Sequence, residues 1–140
     1  MCYKCWFQIT YNNFAAGNLA LYNNTNGGNN IAVGSCALSC NTVGYGNISL
    51  GFGTLKANSS GNNNFAVGIC SLYNNASGYN NISLGNLALK CNTTGINNIF
   101  IGSNVGTNAV TANNCVAIGA NAMAYGDSSD VVIIGNLAGQ

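Results

Sequence analysis

The hydrophobic and polar positions of this chain repeat as whole clauses. The stretch NNIAVGSCALSCNTVGYG, Asn29 to Gly46, returns as NNNFAVGICSLYNNASGYN and again as NNISLGNLALKCNTTGINN. Inside each clause a short stretch alternates with period two rather than 3.6, as in Ile31-Ala32-Val33, which predicts a strand and not a helix. A second apolar group follows the glycine, around Cys36-Ala37-Leu38, and predicts a second short strand. Taking the larger side chains as interior, Ile31 and Val33 point inward together with Cys36 and Leu38, and Ala32 points outward.

The clauses are in strict register. Gly17, Gly34, Gly51, Gly68, Gly85, Gly102 and Gly119 recur at one constant interval, and Gly135 follows one position early. A second glycine column, Gly27, Gly44, Gly61, Gly78 and Gly95, keeps the same interval at the far corner of the clause. Leu21, Leu38, Leu55, Leu72 and Leu89 occupy the fourth position after the first glycine, where later clauses carry Gly106, Met123 and Gly139. A unit this short cannot enclose a core by itself, so successive units must stack. The expected fold is an all-β parallel β-solenoid of about eight 17-residue coils over residues 13–140, with residues 1–12 as an N-terminal cap or connector. Neighbouring coils lie about 4.8 Å apart in such a stack.

Asparagine follows the same register. Asn13, Asn30, Asn47, Asn64, Asn81 and Asn98 form one column, and Asn24, Asn41, Asn58, Asn75 and Asn92 another. Amides one rung apart can bond side chain to side chain, whereas carboxylates in those places would repel one another. This accounts for a chain of 140 residues with only 4% charged residues and a net charge of +1. The absence of proline suits coils that pair their backbones above and below.

Composition removes several function classes. Three cations leave no basic footprint for nucleic acid. No apolar run reaches the roughly 18 residues of a membrane helix. With no His, no Glu and only Asp127 and Asp130 as acids, neither an acid–base pair nor a metal cage is expected, and the chain reads as a non-enzyme without cofactor. The CxxC of Cys2 and Cys5 has no second pair and no His to complete a zinc site. Cys36, Cys70 and Cys115 replace ordinary apolar or small residues of other clauses and read as small buried hydrophobes. Of six Asn-x-Ser/Thr sequons, at Asn23, Asn47, Asn58, Asn75, Asn81 and Asn92, two fall in the first ladder, and such matches are expected by composition alone.

Two outward columns are the candidate surfaces. Ala15, Ala32, Ser49, Ala66, Ser83, Phe100, Ala117 and Ile133 form a stripe expected to contact sister chains. Tyr22, Lys56, Tyr73 and Lys90 follow the leucine column, and Tyr45 and Tyr79 follow the second glycine corner. These six are the candidate ligand-facing residues, suited to a host glycan or a surface protein.

The clause NNIAVGSCAL with its N-T-x-G corner resembles the head repeats of trimeric autotransporter adhesins. It resembles still more the NTAxGxxAL…NTTG repeats of fibre proteins from phages and large DNA viruses. The resemblance covers Asn12 to Gln140 and implies a left-handed β-roll whose three chains bundle into an attachment fibre. Free thiols suit assembly in a reducing cytoplasm before display on a virion or cell surface. The function expected is thus a structural or adhesive fibre segment. Head-to-tail stacking into a filament is the alternative. An ice-binding solenoid is a third reading, but it would call for ranks of Thr where the flat column offers Ala and Ser.

Overall fold

The computed structural model describes residues 12–123 and 126–139, and the expected cap falls outside them except for Asn12. Among the described residues eight three-residue strands follow one another: β1 (Phe14–Ala16), β2 (Ile31–Val33), β3 (Ile48–Leu50), β4 (Phe65–Val67), β5 (Ile82–Leu84), β6 (Ile99–Ile101), β7 (Val116–Ile118) and β8 (Val132–Ile134). They form one parallel sheet in sequence order, each strand paired only with its neighbours in the chain. The register keeps identical clause positions over one another, as in Ile31 on Ile48 and Ala32 on Ser49. The expected parallel β-solenoid is therefore the fold, with one clause to a coil and one strand from each coil.

Backbone bonds run both up and down the stack. Ile31 N donates to Asn47 O in the following coil at 2.8 Å, and Gly34 N donates to Ala16 O in the preceding one at 2.8 Å. The glycine between strand and second wall is required by crowding as well as conformation. Gly34 has φ +129, and a Cβ there would collide with the carbonyl of Gly51 in the next coil.

The second wall is not a strand. Cys36 and Leu38 both take left-handed backbone, with φ 60 and φ 50, and the pattern recurs at Cys70 and Leu72. The wall still bonds to its neighbours, since Cys36 N donates to Asn18 O and Leu38 N to Thr54 O. Left-handed residues break the two-residue alternation. Ala37 and Leu38 consequently both face inward and are fully buried, while Cys36 is only half-buried. The expected second strand and the interior place for Cys36 are corrected on this point.

The core differs from expectation in a second respect. Ala32 is fully buried and Ile31 is 38% exposed, so the middle residue of the strand points in and the larger two point out. The interior is a seam of small residues from the strands (Ala15, Ala32, Ser49, Ala66) meeting Ala37, Thr54 and the leucines of the opposite wall. The two walls are too close to hold isoleucine from one side and leucine from the other. Serines in the seam have partners across it: Ser49 Oγ donates to Thr54 O at 2.8 Å and Ser83 Oγ to Ala88 O at 2.9 Å.

Both asparagine ladders form. In the first, Asn47 Nδ2 donates to Asn30 Oδ1 at 3.1 Å and to Gly61 O at 2.8 Å, and Asn30 Oδ1 also accepts Asn47 N at 2.9 Å. The same contacts recur through Asn64, Asn81 and Asn98. The ladder ends at Cys115, whose N donates to Asn98 Oδ1 and whose thiol stands 3.1 Å from Ser128 O, where a further amide would have donated. In the second, Asn41, Asn58, Asn75 and Asn92 each donate Nδ2 to the Oδ1 one coil earlier, at 2.8 to 2.9 Å. Its last acceptor, Asn92 Oδ1, is buried and unbonded because the next rung carries Ala109.

Candidate functional site

The expected inter-chain stripe is interior. Ala15, Ala32, Ser49, Ala66, Ser83, Phe100 and Ala117 are all buried within the single chain, and Ile133 is half-buried and packed against the core. None of these eight forms an outer face, and the assignment is corrected. The reason is the narrow seam: only a small side chain fits opposite leucine, and where a large one enters, the opposite wall gives way.

The strands' outer face carries the residues expected inside. Phe14, Ile31, Ile48, Phe65, Ile82, Ile99, Val116 and Val132 make one column. Ala16, Val33, Leu50, Val67, Leu84, Ile101, Ile118 and Ile134 make the other. Each is exposed or half-buried, reaching 70% exposure at Val132 and 68% at Ile134. Eight rungs at about 4.8 Å give a strip on the order of 35 Å long with no charge on it. Phe52 and Ile69, 55% and 51% exposed, come two residues after the second column, just past the glycine corner. A signal for this orientation is present in the sequence. Asn30 and Ala32 share one parity, so an asparagine packed in an internal ladder carries the alanine inward with it.

The candidate ligand-facing residues fall on two other columns, and the structure places all six at least partly in solvent. Tyr22 is 47% exposed; Lys56, Tyr73 and Lys90 are half-buried on successive rungs beyond the leucines. Lys56 Nζ donates to Tyr73 Oη at 3.0 Å. The ammonium also lies 5.3 Å from the ring centroid, a distance that, together with the hydrogen bond, puts it at the hydroxyl end and not over the ring face. That hydrogen bond and the charge interaction with Tyr73 hold the Lys56 pKa above its ordinary value, against a smaller desolvation effect. Tyr45 and Tyr79 stand apart from this group, 52% and 42% exposed, on the segment returning to the first ladder.

Among the described residues no three metal-ligating side chains gather, and no helix is long and apolar enough to cross a membrane. The described cysteines, Cys36, Cys40, Cys70, Cys91 and Cys115, are free thiols, and only Cys115 is buried. Among the sequons, Asn47, Asn58, Asn75, Asn81 and Asn92 are fully buried in the two ladders, while Asn23 is exposed. Comparison with protein families, curated proteins and solved structures returns no match to this chain.

Proposed function

We propose that the chain is a rigid structural or adhesive segment of a fibre, in which copies of the same chain bundle side by side, three to a bundle, and hold an attachment surface away from a virion or cell. The observation that carries this reading is the outward apolar face of the sheet. All-parallel sheets are ordinarily covered on both faces, and here one face is covered only by the second wall of the coil. An uncharged apolar strip of this length exceeds the scattered surface hydrophobes of a soluble monomer.

A second copy of this chain is the occupant that fits best. It presents the same side-chain rows at the same rung spacing, so that every ridge meets a groove along the whole strip. The strip has no charge with which to select a charged partner. Three chains, as the fibre resemblance implies, would close the face around one axis and multiply weak contacts at the outer surface through avidity. The reading includes no catalytic step.

The test is the mass of the purified protein in solution, by light scattering or native mass spectrometry, for wild type and for Ile82→Glu combined with Leu84→Glu. Both positions face outward, so the variant keeps its fold and its circular dichroism. The expected result is a trimer for wild type and a monomer for the variant. A wild-type monomer at tens of micromolar would overturn self-association. A dimer would retain the buried face but overturn the three-chain bundle, and long threads by electron microscopy would favour head-to-tail filaments.

A further inference from the structure

Tyr45 and Tyr79 stand two coils apart in the same column, with Asn62 on the rung between them. Two rungs place their backbones roughly 9 to 10 Å apart along the rod. The interval is held rigidly. Asn63 N donates to Tyr45 O at 3.0 Å, Asn80 N to Asn62 O at 3.1 Å and Asn97 N to Tyr79 O at 3.1 Å. Tyr45 N in turn donates to Asn62 Oδ1 at 2.9 Å. The tyrosine column, Gly28, Tyr45, Asn62, Tyr79, Ile96 and Asn113, carries no charge, and the one beside it offers exposed amides at Asn63, Asn80 and Asn97 and reaches its one charge at Asp130, two coils beyond Asn97.

We propose that this column is a binding platform for an extended, neutral β-1,4-linked glycan running along the rod. Such a ribbon turns the same ring face outward at every second sugar, a repeat comparable with two rungs of this solenoid. Tyrosine supplies an apolar ring on which a pyranose face stacks and a hydroxyl that stays in water. Planar amides beside the rings can both donate to and accept from sugar hydroxyls. A platform already fixed by the coil backbone loses little freedom on binding. The proposal goes beyond self-association, because the tyrosine column lies outside the apolar strip and is complete on one chain.

The experiment is co-sedimentation of the purified protein with microcrystalline cellulose and with chitin, with α-1,4-linked amylose as control, and with oligomeric state measured in parallel. Wild type is expected to sediment with at least one of the two β-1,4 polymers and not with amylose; which one it prefers identifies the sugar. Tyr45→Ala and Tyr79→Ala should each weaken retention at least tenfold while leaving the mass in solution and the circular dichroism unchanged. A spacing variant, Asn62→Tyr with Tyr79→Asn, keeps two tyrosines but sets them one rung apart, and should also fail to bind. Absence of wild-type retention on both polymers, equal retention on amylose, or undiminished binding by the spacing variant would overturn the platform. Loss of oligomerisation with retained glycan binding would count against the bundle alone.

Discussion

Phe100 and Gly106 occupy complementary places across one coil: a Cβ on Gly106 would collide with the edge of the Phe100 ring. Other coils pair a small strand residue with leucine six positions later, as in Ala32 with Leu38 and Ser83 with Leu89, all buried. Here the sizes are exchanged between the walls, and the sum is kept. Ile133 and Gly139 repeat the exchange, since a Cβ on Gly139 would strike the Ile133 side chain. Conformation alone does not demand glycine at residue 106, because Leu38 and Leu55 hold φ 50 and φ 51 at the same position.

The two residues should therefore be strongly coupled. Phe100→Ser alone leaves a cavity, at a cost of about 3–5 kcal/mol, and Gly106→Leu alone overfills the seam. The double variant Phe100→Ser with Gly106→Leu restores the pairing of Ser83 with Leu89. Urea unfolding should show the double variant more stable than the sum of the singles predicts, with a coupling of at least about 1 kcal/mol. Additive losses would show that the two walls do not share one packing site.

Removing a leucine from the seam should be costly wherever it is tried. Leu55→Ala is expected to lower stability by about 2–5 kcal/mol. Leu38→Asp and Leu72→Asp should prevent folding, since each carries an unpaired charge into a place with no exposure. Circular dichroism and thermal melts read both. An Asp variant that keeps the wild-type melting profile would mean that these leucines do not fill the interior.

The second ladder predicts a pH-dependent variant. Asn58 Nδ2 donates to Asn41 Oδ1 and Gly61 O, while its Oδ1 accepts from Asn75 Nδ2. Asn58→Asp puts an acceptor against Asn41 Oδ1 and Gly61 O, which favours the protonated acid and raises its folded pKa above the unfolded carboxylate value of about 3.9. A raised pKa means the folded state binds the proton more tightly. The variant should then be nearest to wild type at low pH and lose stability as pH rises through the folded pKa. Chemical denaturation at pH 4 and pH 7 measures it. A loss independent of pH would indicate that the carboxylate is solvated.

The ladder also ends in a way that can be repaired. Asn92 Oδ1 is unbonded beneath Ala109, and the glycine of the second column is replaced in that coil by Ala112. In earlier coils the added Cβ of that glycine would meet the ladder amide of its own coil, as Gly95 would meet Asn92 Oδ1. Ala109→Asn alone should thus clash with the Ala112 methyl and destabilise. Ala109→Asn with Ala112→Gly should add one rung and gain about 1 kcal/mol, the net worth of a buried amide bond. A destabilised double variant in thermal unfolding would show that this coil is closed in a different way.

The period, the parallel stacking and both ladders are legible in the sequence because each depends only on residues recurring in register. The direction of the strands is not. Alternation at Ile31, Ala32 and Val33 says that two faces differ, but not which is inside, and the usual preference for burying the larger residues points the wrong way. The spacing between walls decides it, and that spacing follows from the shortness of the circuit each coil must close. The second wall reads as a strand because left-handed φ at Cys36 and Leu38 leaves no mark in an apolar pattern. Tyr45 and Tyr79 can be assigned to the surface from sequence, since their position next to a glycine corner requires no knowledge of which face is inside.

Because the contacts from Asn30 to Asn47 are repeated through Asn64, Asn81 and Asn98, the first ladder does not mark the rank of any coil within that run. A gene built this way can lengthen or shorten by duplicating or deleting whole clauses without redesigning any contact, whereas the loss of a few residues within one shifts every later column. Variation among descendants is therefore expected in reach and seldom in girth.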